Sequence, residues 1–341
     1  MKIMKISKEK FGQVFDALTA EYQIIAPVSD ANGIAFKGVK SFSEVKQDYL
    51  NSKLPPKAFF FPQHEKLMSY KKEGKDVTVK SELKVEDTVL FGIRPCDAKG
   101  MQLLDMVFKN DQYTDPYYYE RREKAVIIGV ACTKIAPTCF CSSFGISPAG
   151  SEGSDILLID LGDSYEVEVI TEKGKALAAR FESLSELSAD EQALVAKLKS
   201  AETASKVDLS NTTSKLDKMF NSPFWDTLQE KCIGCNVCSF SCPTCHCFDI
   251  SEEVRKNEGT RVRTWDACMA PLFTLHGSGH NPRDKKKARW RQRLMHKFNY
   301  YVHNNGAMAC VGCGRCIKSC PVNMDIRQVI DGANKAELVV E

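Results

Sequence analysis

Cys232-Ile-Gly-Cys235-Asn-Val-Cys238-Ser-Phe-Ser-Cys242-Pro243, answered by Cys310-Val-Gly-Cys313-Gly-Arg-Cys316-Ile-Lys-Ser-Cys320-Pro321, is the stretch from which the rest of the chain is read. Both halves follow the spacing C-x2-C-x2-C-x3-C-P, in which the fourth cysteine ligates the other of two clusters. Two intervening residues let three thiolates reach three irons from one tight loop, and backbone N–H groups of that loop can point at cluster sulfides. Proline after the fourth cysteine is expected to set the start of a helix there. One [4Fe–4S] cluster is therefore assigned to Cys232, Cys235, Cys238 and Cys320, and a second to Cys310, Cys313, Cys316 and Cys242. Zinc in the paired CxxC units is the bland alternative. Cys242-Pro-Thr-Cys245-His246 also matches a haem-attachment pattern, but Cys242 already has a ligand role.

Seven further cysteines lie outside the two motifs, out of 15 in all. Clustered cysteines in a chain without a disulfide context point to metal or catalysis. Cys96 and Cys132 each follow a predicted buried strand, and Cys139-Phe-Cys141 sits in a proline-containing loop. Alternate residues of an extended stretch point the same way. Cys96, Cys132, Cys139 and Cys141 are therefore candidates for a third [4Fe–4S] cluster, against zinc or simple burial. Cys245, Cys247 and Cys268 are one ligand short of a conventional site. His246, His276 or His280 could complete it, or the three could join the N-terminal group, or they could pack inertly.

Outward from the motifs, 341 residues suggest two domains. An α/β domain is expected over residues 1–200, a linker over 201–214 and an α+β, ferredoxin-like two-cluster domain over 215–341 with a long insert at 243–309. Phe11, Val14, Phe15, Leu18 and Tyr22 mark a helix over Lys8–Tyr22, with Ser7 as its cap. Strands are predicted at Gln23–Pro27, Gly33–Val39 and Ala58–Phe61. Thr88–Ile93 and Ala125–Ala131 are apolar on both faces, as central strands are. Met101, Leu104, Val107 and Phe108 mark a helix. A hairpin follows at Asp155–Leu161 and Tyr165–Ile170, and Ser188 to Glu191 form a capping box. Loops at the carboxyl ends of sheet strands are the usual place for α/β sites.

The formal charge of +3 is too small to argue for nucleic acid. Three clusters at about two negative charges each would bring it to roughly −3. Arg283–Lys297, dense in lysine and arginine, is open to a nucleic-acid reading or a solvated helix face. Stabilising reduced clusters or steering a redox partner is preferred, since the segment lies between the motifs. No apolar run has the length of a membrane span. Met1–Lys10 shows no export leader, so a cytoplasmic location is expected.

The combination resembles the dicluster β-subunit family of cytosolic sulfhydrogenases, which includes the A subunit of anaerobic sulfite reductase. The matching stretches are CIGCNVCSFSCPTCHCFDI (232–250), RTWDACM (263–269), GSGHNPR (277–283), CVGCGRCIKSCP (310–321), FGIRPCDAKGM (91–101) and PTCFC (137–141). The resemblance implies an electron-transfer subunit of an anaerobic hetero-oligomer. It would stand between a flavin- and NAD(P)-binding subunit and a catalytic subunit, which could be a hydrogenase, a sulfite reductase or a heterodisulfide-reductase-type module. The sequence itself has no G-x-G-x-x-G after a strand and no Walker A loop, so the nucleotide is expected on a partner. The 67 residues between the motifs exceed those of a compact two-cluster ferredoxin. Two other classes stay open: a sulfur-substrate reductase with an open metal position in the N-terminal domain, and a zinc module binding nucleic acid.

Overall fold

The computed structural model describes residues 4–31 and 33–337; the first three residues of the Met1–Lys10 segment lie outside them. Twelve strands are described: β1 (Met4–Ser7), β2 (Gln23–Asp30), β3 (Gly33–Val39), β4 (His64–Glu73), β5 (Asp76–Ser81), β6 (Thr88–Ile93), β7 (Ala125–Val130), β8 (Ile156–Asp160), β9 (Ser164–Val169), β10 (Ser185–Glu186), β11 (Phe248–Arg255) and β12 (Glu258–Trp265). They form two sheets, ordered β10-β1-β9-β8-β7-β6-β2-β3 and β11-β12-β4-β5. With the helices between them, they make a mixed α/β fold.

The centre of the larger sheet is parallel, with β2 on β6, β6 on β7 and β7 on β8. TVLFGI and AVIIGV fill β6 and β7 and are buried almost throughout, as their two-sided apolar pattern requires. One face is closed by the helix Lys8–Leu18, capped by Ser7, whose Phe11 and Phe15 meet Phe91 of β6. The other face is covered by Met101, Leu104 and Phe108 of the helix Pro95–Phe108, together with Phe60, Phe61 and Tyr118. Because β6 and β7 run side by side and parallel, Cys96 and Cys132 leave the sheet at the same edge.

Ala58–Phe61 is not a strand. Pro56–Phe59 form a 3₁₀ turn, consistent with the fixed φ of Pro55-Pro56, which suits a helical start. The turn buries Lys57 and brings Phe61 onto Trp265. The smaller sheet joins distant parts of the chain. The β4–β5 hairpin comes from the N-terminal half and β11–β12 from the insert, and β4 pairs with β12 in register from Glu258↔Lys71 to Thr264↔His64. Its base is fastened by buried charge. Arg263 reaches Glu65 and Asp115 at 2.5 Å each, and Arg121 also meets Glu65.

Residues 201–211 carry no regular element but are held on both sides. Thr203 and Val207 donate backbone N–H groups to the hydroxyls of Ser142 and Ser143. Arg327 and Asn334 of the last helix reach Ser205 and the Asp208 carbonyl. No helix among the described residues is long and apolar enough to cross a membrane.

Candidate iron–sulfur sites

The two cysteine motifs adopt one backbone shape. Gly234 and Gly312 have φ of 73° and 60°, and Asn236 and Gly314 have φ of 64° and 73°. Each loop then closes into a single helical turn, Val237–Phe240 or Arg315–Lys318. Asparagine tolerates the left-handed region, yet only glycine fits at 314, where a Cβ would stand 2.4 Å from the Thr138 carbonyl oxygen. The helix expected to begin at the fourth cysteine is absent. The helical turn ends at Ser241 or Ser319, so Cys242 and Cys320 follow it and close turns onto Ser239 and Ile317.

The structure places cysteines of the two motifs beside one another. Cys232, Cys235, Cys238 and Cys320 line one small cavity with Met269, Trp290 and Arg293. Cys242, from the first motif, faces the second. Burial raises the thiols of Cys310, Cys313 (to about 12) and Cys316, and the charge of Cys242 pushes each further up. Within the insert, β11 and β12 pair with each other and onto β4. Backbone N–H groups point at cysteine sulfurs of the motifs, as Gly234 to Cys232 at 3.4 Å and Met324 to Cys320 at 3.2 Å.

Cys96, Cys132, Cys139 and Cys141 also converge. All four line a cavity of ≈ 660 Å³, and Cys313 of the second motif lines it too. Cys96 stands in the first turn of its helix, and Phe140 between Cys139 and Cys141 is buried. The Phe140 N–H donates to the Gly312 carbonyl at 2.8 Å, so the N-terminal cysteine loop and the second motif touch through their backbones. Gly312 permits this: a Cβ there would stand 2.5 Å from the Phe140 backbone. Beside the contact, Arg315 grips Asp97 with two bonds of 2.6 and 2.7 Å and reaches the Ser52 carbonyl and hydroxyl. Arg94, buried beside Cys132, donates to the carbonyls of Val130, Ala131 and Tyr49, and its Nε is a buried donor without a partner.

Cys245, Cys247 and Cys268 do not join the N-terminal group. Cys245 pairs with Cys242, and Cys247 with Cys268. The Cys247 contact, helped by Arg293, holds the Cys268 thiol down at about 6 against its burial. His246 packs on His296, 5.2 Å between ring centres, and burial pushes its pKa to about 3. His276 and His280 pack on each other in an exposed loop.

Three buried cations surround these sulfurs. Arg293 approaches Cys245 Sγ at 3.8 Å and donates to the Cys238 carbonyl at 3.0 Å and the Ser239 hydroxyl at 3.3 Å. Lys297 donates to Cys242 Sγ at 3.3 Å, Thr244 Oγ1 at 3.0 Å and the Ala309 carbonyl at 2.8 Å. Lys57 donates to the Cys245 carbonyl and lies over the Trp265 ring at 4.2 Å; burial lowers its pKa to about 8. Burial would also lower Lys297, but the Cys242 thiolate beside it turns its shift upward. None of the three has a carboxylate within salt-bridge reach among the described residues.

The expectation that Arg283–Lys297 serves the clusters covered Arg293 and Lys297 without foreseeing their burial, of which the spacing carried a trace. Arg289, Arg293 and Lys297 recur every fourth residue and are all buried, alongside Trp290, Leu294 and Phe298. Much of this basic segment is therefore a buried wall of the cysteine region. A π-helical turn at His296–Tyr300 continues the helix Lys286–Met295 and carries Lys297. Lys57 and the Asp97–Arg315 pair had no sequence signal.

These cysteine groups offer thiols alone, and Lys57, Arg293 and Lys297 beside the two motifs have no carboxylate partner among the described residues, whereas Arg315 has Asp97. That donor chemistry suits anionic iron–sulfur clusters. Among the described residues no three His, Cys, Asp or Glu side chains stand together as a single metal ion requires. Residues 231–324 match the 4Fe-4S dicluster domain family, so the C-terminal part of the chain is a 4Fe-4S dicluster domain. The chain is also 33% identical to sulfhydrogenase 2 subunit beta of Pyrococcus furiosus, over 97% of its own length and 98% of the relative's. It belongs to the sulfhydrogenase beta-subunit family and is an iron–sulfur electron-transfer subunit. No solved structure matches it.

Proposed function

We propose that the chain is a three-cluster relay between a flavin- and NAD(P)-binding subunit and a catalytic redox subunit, in a cytoplasmic hetero-oligomer. In this account Cys232, Cys235, Cys238 and Cys320 hold one [4Fe–4S] cluster, and Cys310, Cys313, Cys316 and Cys242 the second. Cys96, Cys132, Cys139 and Cys141 hold a third, in an α/β domain over residues 1–200 that precedes the two-cluster domain over 215–341. Each cluster, when bound, takes up and releases one electron.

The observation that carries this is the shared cavity. Cys313 lines it together with the four N-terminal cysteines, and the two loops bond through Phe140 and Gly312. The N-terminal four thiols thus adjoin the second motif, and Cys316, which lines the cavity of Cys232, Cys235, Cys238 and Cys320, supports the same of the first set. The chain's own part is to ligate, to exclude water with Phe140, Trp290 and Met269, and to hold cations at the sulfurs. The relative is named as a subunit of a sulfhydrogenase, which supports a catalytic partner here. The burial of Arg289, Arg293 and Lys297 weighs against nucleic-acid binding through that segment.

The test is Cys313→Ala in the assembled complex. Electron passage from nicotinamide to the catalytic subunit should fall at least a hundredfold, while the catalytic subunit keeps its rate with a small dye donor. Unchanged passage would refute the relay. A small sulfur compound that altered the spectrum of one cluster in the isolated chain would favour the reductase alternative instead.

A further inference from the structure

Arg293 and Lys297 sit one helical step apart on the same inner wall, yet they face different sulfurs. Arg293 lines the cavity of Cys232, Cys235, Cys238 and Cys320, and Cys316 of the other set lines it too. The negative groups that act on Arg293 are the thiols of Cys238, from the first set, and Cys316, from the second, together with Cys245 and Cys268, which belong to neither. Lys297 touches Cys242 at 3.3 Å and the carbonyl before Cys310 at 2.8 Å, both at the second set. The exposures of Arg293 and Lys297 are 2% and 4%.

A buried cation without a counter-charge is strongly disfavoured. Neither residue has a carboxylate partner among the described residues, and Arg293 Nε is a buried donor left unsatisfied. The compensating charge must therefore come from the thiolates and what they hold.

We propose that Arg293 is a shared positioning charge that raises the reduction potentials of both ferredoxin-motif clusters, and that Lys297 does so for the second alone. This rests on the ligand sets proposed above. Reduction adds one electron, and hence one negative charge, to a cluster. A fixed cation at the sulfurs stabilises that state more than the oxidised one. Arg293 serves the two clusters together, so it lifts both and keeps their difference small, whereas Lys297 biases the electron toward the second.

The experiment is a redox titration of oxygen-free purified chain followed by electron paramagnetic resonance, with iron and sulfide measured on the same samples. Arg293→Gln should lower both midpoints by at least tenfold in the reduction equilibrium, about 59 mV for one electron. Lys297→Gln should lower one midpoint by a similar factor and leave the other within about threefold. Arg293→Lys, which keeps the charge, should stay within about threefold at both. Lys287→Gln, at a lysine 41% exposed and paired with Asp226, should shift neither. If Arg293→Gln fails to load while Arg293→Lys loads with ordinary midpoints, the charge is confirmed as the counter-ion. Loaded Arg293→Gln with unchanged midpoints overturns the proposal, and so does an Arg293→Lys protein that cannot load. Wild-type protein with clearly fewer than about eight iron per chain would instead refute the ligand sets themselves.

Discussion

The Asp97–Arg315 pair offers a quantitative test of how the N-terminal half holds the second cysteine loop. Its side chains are 1% and 3% exposed and meet through two bonds, and Arg315 also takes the Ser52 carbonyl and hydroxyl. Removing one member leaves the other buried and unpaired, which costs about 3–5 kcal/mol, while replacing both together costs far less. Asp97→Asn and Arg315→Met should each lower the apparent thermal midpoint of oxygen-free protein by roughly 6–20 °C, at about 2–4 °C per kcal/mol. The double variant should lie above the Arg315→Met single. The midpoint is to be followed by tryptophan fluorescence and by visible absorbance, so that unfolding and cluster release are read separately. Singles within about 2 °C of wild type, or a double whose loss equals the sum of the singles, would show that the pair does not hold the loop.

Other outcomes follow from the same geometry. Cys139→Ser should lower iron from about twelve to about eight per chain, counted by chemical assay, and leave the ferredoxin-type resonances in place. Gly314→Ala should destabilise by about 2 kcal/mol or more, from its positive φ and the Thr138 oxygen 2.4 Å from the new methyl. Gly279→Ala, also at positive φ but with nothing within 4 Å, should cost only about 1 kcal/mol, compared by thermal midpoint. Burial pushes the Glu166 pKa up to about 7 from 4.5, against the pull of Lys199. The folded state therefore keeps a proton that the unfolded chain has lost, and stability falls as pH rises from about 4.5 to 7. Glu166→Gln should remove that slope between pH 5.5 and 8 and stabilise the alkaline end by on the order of 1–3 kcal/mol. A variant midpoint that follows the wild-type pH slope would contradict this.

Local signals read well where one residue type had one physical use. The two-sided apolar runs became β6 and β7, the Ser188 capping box opened its helix, and the cysteine spacing predicted loops of one shape. Strand-end placement also drew attention to Cys96 and Cys132 before their meeting in one cavity was visible. Ala58–Phe61 misled because an apolar run fits a strand or a buried turn equally, and Pro55-Pro56 decided for the turn. The β4–β12 pairing was invisible, since its partners stand nearly 200 residues apart and neither strand carries a register mark. The basic segment Arg283–Lys297 was expected near the clusters, but the burial of its Arg293 and Lys297, and Lys57 altogether, were missed. Lysine and arginine are read as surface residues by default, and only the thiols around Lys57, Arg293 and Lys297 make their burial intelligible.

Iron, acid-labile sulfide and zinc per chain, measured on protein purified without oxygen, test the three-cluster account most directly. About twelve iron and twelve sulfide with negligible zinc are expected. About eight of each would remove the N-terminal cluster, and zinc with little iron would contradict the electron-transfer role itself.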